Sequence, residues 1–499
     1  MKKLFIAGIL LCGLDAGLAQ TASFKAGFVE RDISPALGME EPGGYGKVFH
    51  KKFHDPCKVR AVVFDDGQRR VALVGLDALM VPRSLVVAAR KEIQARCGIT
   101  PEAIMVGASH SHSSGPLGMI QPGDYDQASA LVKELAYKKS SCADAGYLER
   151  VKNELVQAVC AANEARVAAR CGFGRGLEDR VAFNRRIRMK NGVTFSHPGK
   201  GNPDAIDYAG PTDPEVGVIG VWDSNGKILG CIVNFACHAT TSPGGISANW
   251  IYYLEQTIRG TFGQNVNVVF LQGDCGDVTQ VDNLSPAANP SGEKWAQIVG
   301  GSVGAEATKV LLRMTVTSDA PLAARSKVWT IKRRVPNPQR VKSAYEIVQG
   351  EDRPGAADWI FAKETVLLEA LIAKEPAVEV EAQAVQIGPA IFISNPAELF
   401  CAYGLELKQK SPFAFTFPVE LANGCVGYVP TEEAMGEHGG GYETRLTSYS
   451  NLEISAGNQF VQAGLELARS LSPGKVPQPP RAPSFQEPWS YGNLPAQKE

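Results

Sequence analysis

The stretch "VGASHSHSSGP", Val106 to Pro116, ends an apolar run with two histidines one residue apart. His110 and His112 are two of only seven histidines in 499 residues, and their neighbours Gly107, Ala108, Ser109, Ser111 and Ser113 are all small. In an extended chain, residues i and i+2 project to the same face. Both imidazoles are therefore expected to enter one site. Taken alone, the pair reads equally well as a polar loop whose histidines only form hydrogen bonds. His238 shifts that balance, because it ends a second apolar run, "IVNFACHATT" (Ile232 to Thr241). Zinc sites draw ligands from separate strand ends, and neutral imidazole is a preferred ligand. Cys237 precedes His238, but adjacent residues of a strand point to opposite faces. A Cys–His nucleophile pair is excluded on that ground.

Working outward, apolar runs flank the turn Asp65-Asp66-Gly67 and predict a β-hairpin. A helix is expected from about Pro82 to Arg96, with Gly98 just past its end. "EAIMVGAS" is the strand that leads into the histidine pair. Leu148 to Arg170 has helical spacing of Leu, Val and Ala. "NVNVVFLQGDCGDVT" is a buried-type strand, a helix covers roughly Glu293 to Arg313, and "AVQIGPAIFIS" turns back at Gly388-Pro389. Residues 315–380 are the least readable, with a proline-rich patch and then a helical stretch. Strands alternating with helices give an α/β class: a mixed β-sheet core flanked by helices, with the metal site at strand ends.

The first nineteen residues carry Lys2-Lys3, an apolar core and small residues at Gly17 and Ala19. This is the order of a cleaved signal peptide, so a secreted or periplasmic protein is expected. Residues 20–472 are read as the folded domain and 473–499 as a proline-rich C-terminal tail. A net charge of −1 with both signs mixed leaves no basic footprint for nucleic acid. Eleven cysteines, one inside the signal, leave room for disulfides in an oxidising compartment without assigning partners.

"GASHSHSSGP", "NFACHATT" and "GDVTQ", with "GFVERDISP", "HDPCKVRAVVF" and "FNRR", resemble the catalytic domain of the neutral/alkaline ceramidase family. Its members are zinc amidohydrolases that cleave the N-acyl bond of ceramide. The resemblance implies Zn2+ held by His110, His238, Glu398 in "SNPAELF" and Tyr428 in "CVGYVP". It leaves His112 beside the metal, as a residue that supports the ligands or handles protons. On spacing alone, Asn395-Pro396-Ala397-Glu398 also reads as a capping box opening a helix. In the family the position of Thr279 is a serine and that of Gln280 a proline, and the resemblance makes Thr279 a candidate nucleophile or substrate-positioning hydroxyl, with zinc-activated water the other attacking group. Arg185 is the candidate oxyanion donor. Larger members append an immunoglobulin-like domain after the catalytic one; this chain is expected to lack it. The substrate implied is ceramide or another N-acyl lipid, which entails transient contact with a membrane surface. Two other readings are the same site acting on a different N-acyl or ester substrate, and a secreted binding protein with a degenerate site.

Overall fold

Asp65 Oδ1 accepts the Gly67 amide at 2.8 Å and Asp66 Oδ1 accepts that of Gln68 at 2.9 Å. These bonds close the turn between strands Lys58–Asp65 and Arg70–Leu76, which pair antiparallel as expected. They belong to a nine-stranded mixed sheet in this computed structural model, which describes residues 24–353 and 355–499. The expected signal segment lies outside the described residues. The middle of the sheet is antiparallel, and each end closes with a parallel pair. At one end Arg70–Leu76 pairs with Ile104–Ala108 across the helix Arg83–Cys97. At the other, Ile228–Phe235 pairs with Asn267–Gln272 across the helix Trp250–Phe262.

The two ends of the strand order do not stay apart. A Cβ placed on Gly75 would lie 2.4 Å from the carbonyl oxygen of Phe270, so strands from opposite ends pack face to face. Only glycine permits that approach. The loops after the two parallel pairs meet as a result: Ser111 bridges Ala239, and the His112 amide donates to the Ala239 carbonyl at 3.1 Å. A second, four-stranded sheet orders Leu322–Lys332, Ala377–Ile387, Ala390–Ser394 and Phe415–Val419. It carries the short parallel pair Glu398–Leu399 and Tyr428–Val429.

Three expectations are corrected. The helix expected from Leu148 to Arg170 spans Ala145–Glu164, and Val167–Leu177 is a central strand. Gly172, Gly174 and Gly176 alternate along it, and a Cβ on any of them would strike Met314, Val310 or Glu306. Close helix–sheet packing therefore decides the strand, which helix propensity does not register. Glu398 does not cap a helix. Its amide donates to the Gly427 carbonyl at 2.9 Å within the strand pair, and the following helix is Cys401–Lys410. All ten described cysteines are free thiols; Cys97 Sγ and Cys160 Sγ lie 3.6 Å apart. Past the helix Ala456–Arg469 the chain runs through the proline-rich stretch with one short 3-10 turn at Ser490–Asn493.

Arg60, buried at 2 % exposure, ties the sheet to the helix Trp250–Phe262. Its Nη1 donates to Asp77 at 2.6 Å and its Nε to Glu255 at 3.0 Å. Burial works against ionisation of Glu255, but Arg60, Lys58 and Arg259 outweigh it and bring its pKa from 4.5 down to about 2. A depressed carboxylate contributes stability above its unfolded pKa and loses it as the pH falls through the folded value. Glu255→Gln should leave Arg60 short of charge and cost about 3–5 kcal/mol. Denaturant unfolding at neutral pH measures this. Between pH 4.5 and 2 the wild type should lose an increment of stability that the variant lacks.

Candidate functional site

His110 follows the strand Ile104–Ala108 in a left-handed conformation, at φ 60. The simple i, i+2 argument therefore fails, because the chain is not extended there. A non-glycine residue in this region is strained and must be held by its surroundings. Ser109 N and Ser111 N donate to the carbonyls of Leu76 and Ala78, at 2.8 and 3.1 Å. The rings still converge, with His110 Nε2 and His112 Nε2 3.2 Å apart. His110 and His238 have ring centroids 4.5 Å apart and nearly perpendicular planes.

Backbone carbonyls fix which ring nitrogens carry hydrogen. His110 Nδ1 lies 2.9 Å from the Leu79 carbonyl oxygen, and His238 Nδ1 lies 2.9 Å from that of Cys275. A carbonyl only accepts, so both Nδ1 atoms carry hydrogen and donate; in a neutral ring that leaves the Nε2 lone pair turned inward. Glu398 Oε2 lies 3.4 Å from His110 Nε2 and 3.2 Å from His238 Nε2. It is buried and has no hydrogen-bond donor. The His238 nitrogen is reached by Arg185 Nη1 at 3.0 Å, but Glu398 Oε2 has no donor of its own beside these two rings, a set that a bound metal cation would satisfy. Histidine nitrogens with one carboxylate suit Zn2+. The nitrogens of His110, His112 and His238 also lie within 4.8 Å of one another, so His112 is a third imidazole in reach of the same ion. Burial, then Arg185 and His110, hold His238 near 3, and burial with its two histidine neighbours holds His112 well below the usual range. Both are neutral at pH 7, the form that ligates metal or accepts a proton.

The surrounding side chains close a cavity of about 390 Å³. Tyr428 lies on its wall, paired in register with Glu398, and its hydroxyl is 3.4 Å from that of Tyr442. Arg185 is buried with its guanidinium against the Tyr428 and Tyr442 rings. It donates through Nε to Glu443 at 2.7 Å, through Nη1 to His238 Nε2 at 3.0 Å and through Nη2 to the Gly276 carbonyl at 2.7 Å. Thr279 is 2 % exposed, lines the cavity, and donates its hydroxyl to Gln280 Oε1 at 3.0 Å. Thr240 donates to the same oxygen, also at 3.0 Å. A Cβ on Gly43 would lie 2.2 Å from His112 Nδ1, so the loop Pro42–Tyr45 presses against that ring. Cys237 turns away, with Sγ 3.8 Å from the Val181 carbonyl.

All seven residues singled out in the sequence therefore meet at one cavity. Sequence reasoning missed Tyr442 and Glu443. Glu443 is fully buried and anchors Arg185. Their one signal is the run Gly439-Gly440-Gly441 before Tyr442-Glu443, which marks a close backbone approach: a Cβ on Gly441 would lie 2.2 Å from Ser196 Oγ.

No family model matches the chain. A search of curated proteins finds neutral ceramidase of Pseudomonas aeruginosa, 24% identical over 309 residues. That alignment takes in 58% of this chain and 42% of the relative, so the chain matches under half of the relative's length. Among solved structures, a ceramidase complexed with C2 aligns over 93% of this chain and 77% of its own, with a TM-score of 0.65 and 17% identity. The crystal structure of neutral ceramidase from Pseudomonas aeruginosa aligns over 92% and 77%, with a TM-score of 0.64 and 17% identity. The resemblance read from the motifs stands: this chain has the neutral ceramidase fold and is similar in sequence to that family.

Proposed function

We propose that the chain is a zinc-dependent amidohydrolase that cleaves the N-acyl bond of ceramide or a related N-acyl lipid. The observation that carries this reading is the unpartnered Glu398 Oε2 within 3.4 Å of His110 Nε2 and 3.2 Å of His238 Nε2 at the cavity. The ceramidase fold around it supports the choice of reaction. In this reading His110, His238, Glu398 and Tyr428 hold the metal. A bound Zn2+ supplies Lewis acidity toward the amide carbonyl and lowers the pKa of water. The chain's own groups do the rest. Arg185, fixed by Glu443, keeps a positive charge beside the developing oxyanion. His112 accepts a proton at Nε2 and delivers it to the leaving amine, which an amide requires more than an ester does. The Thr279 hydroxyl would position the substrate or act as the nucleophile; as nucleophile it would give its proton to His112 while its oxygen bonds the carbonyl carbon, and the C–N bond would break as His112 returns that proton to the amine. Gln280 adds an amide to the cavity wall, which favours a substrate with a further polar group near the scissile bond. We also propose export, on the order of charge, apolar core and small residues in the first nineteen positions.

Three outcomes are expected. Metal analysis of the purified protein should find one zinc per chain. Chelation should abolish ceramide hydrolysis and zinc should restore it, while His110→Ala and Glu398→Gln lose metal and activity together. Full zinc occupancy in His110→Ala would remove that residue from the ligand set. A panel of N-acyl and ester substrates on the same preparations ranks ceramide against the alternatives.

Thr279→Ser should keep substantial activity, and Thr279→Val should lose most of it, because valine keeps the shape without the hydroxyl. Turnover is to be measured per folded, zinc-loaded molecule. A fully active valine variant would show that the hydroxyl takes no part. Mass spectrometry of the mature protein should find a start near Gln20, and an intact Met1 on most molecules would refute export by cleavage.

A further inference from the structure

The loop that presses on His112 is the tip of a small hairpin whose outer edge is unusual. Strands Glu40–Glu41 and Val48–Phe49 pair antiparallel, and the turn between them carries Gly43, Gly44 and Tyr45 on the cavity wall. The sequence continues "KVFHKKFH" from Lys47 to His54. Its backbone is firmly seated. Buried His50 contacts the Ser114 carbonyl through Nε2 at 2.8 Å, and the Ile246 amide donates to the Lys52 carbonyl at 2.9 Å. Lys363 Nζ holds the Tyr45 carbonyl. The apolar side chains nevertheless point outward: Val48 is 54%, Phe49 50% and Phe53 55% exposed. Between them Lys51 and Lys52 are exposed, without a carboxylate partner among the described residues, whereas Lys47 is paired with Glu40 at 2.7 Å.

A rigid segment that leaves two phenyl rings in water beside two free ammonium groups has the composition of an interfacial anchor. Apolar groups enter the acyl boundary of a bilayer, and lysines stay at the headgroups and attract anionic lipid. A protein partner would more often meet neutral or mixed-charge neighbours around such rings. Among the described residues no helix is long and apolar enough to cross a membrane.

We propose that Val48, Phe49, Lys51, Lys52 and Phe53 form a docking face for an anionic lipid surface. The hairpin that carries that face also lines the cavity through Gly43, Gly44 and Tyr45, which joins docking to the site. The purpose of the face rests on the lipid-amide reading, but its binding is measured without turnover. The test is co-sedimentation of the full chain with two kinds of vesicle: phosphatidylcholine alone, and phosphatidylcholine with an equal amount of phosphatidylglycerol. The wild type should bind the anionic vesicles, more weakly as salt rises, and bind the neutral ones poorly. A lysine near an anionic surface is worth about five-fold in partitioning, so Lys51→Gln with Lys52→Gln should weaken binding roughly 25-fold. Phe49→Ala with Phe53→Ala should weaken it by about ten-fold per ring. Both double variants should keep the wild-type melting temperature and turnover on a detergent-dispersed substrate, since these side chains are exposed and outside the cavity. Equal binding to both vesicles, or binding untouched by either double variant, would overturn the proposal. So would a wild-type oligomer that the phenylalanine variant disperses, because the face would then join copies of the chain. A protein that docks on anionic vesicles yet hydrolyses no N-acyl lipid keeps the docking face and loses the lipid-amidase reading.

Discussion

Two hydrogen bonds from ring to backbone organise the site: His110 Nδ1 to the Leu79 carbonyl and His238 Nδ1 to the Cys275 carbonyl. Each fixes a tautomer, and each aims an Nε2 lone pair at the same buried point. Without them either ring could protonate Nε2 and satisfy Glu398 Oε2 directly, and the site would be an ordinary buried polar cluster. With them, the neutral rings turn acceptors toward the carboxylate, and of the two nitrogens only that of His238 has a donor, Arg185 Nη1. The acceptor carbonyls lie in loops at the two parallel ends of the sheet, so the tautomers depend on how the sheet ends are placed. The buried Arg60–Asp77 contact sits at one of those ends, since Asp77 immediately follows the strand Arg70–Leu76 and lies two residues before Leu79.

The sheet ends are placed by contacts that sequence patterning does not announce. His110 and His238 follow strands at nearly opposite ends of the order, which would separate them widely in a flat sheet. The close approach at Gly75 folds one end over the other, and the Ser111–Ala239 bridge joins the loops. Glu398 arrives from the second sheet through its pairing with Tyr428. The site is thus a junction of three strand-end loops, and its geometry is a consequence of sheet closure.

This explains what could be read from the sequence and what could not. The hairpin around Asp65-Asp66-Gly67 and the helix ending at Gly98 were legible because local turn chemistry determines them. Gly98 takes φ 69, the left-handed conformation of a helix C-cap. The histidines were legible as residues at strand ends, but the left-handed His110 was not, because its strain is borne by long-range hydrogen bonds. Glu398 misled a local reading because Asn-Pro-Ala-Glu is a good helix start. Tertiary pairing with Tyr428 overrode that propensity. The strand Val167–Leu177 was hidden for a related reason: its glycines have meaning only against the helix Gly292–Leu312 that packs on them. Glu443 acts only through Arg185, 258 residues away, and no local pattern encodes such a contact.

Gln280 stands where the resembled motif has a proline, and it shapes the site without being one of the proposed metal ligands. A proline at this position has no side-chain hydrogen-bonding group. Gln280 Oε1 instead accepts from Thr279 and Thr240 together. That removes the rotational freedom of the Thr279 hydroxyl: with its hydrogen committed to Gln280, only its lone pairs remain toward the cavity. A hydroxyl held this way accepts from a substrate donor and does not donate to a substrate oxygen; to attack, it must first turn its hydrogen from Gln280 to a base. The work of donation falls to other groups, and the Gln280 amide nitrogen has no partner among the described residues. The Thr279–Gln280 pair therefore divides between two side chains what a lone serine hydroxyl would do by rotating. The cost is that both must be in place at once, so the two positions should be strongly coupled in a double-mutant cycle.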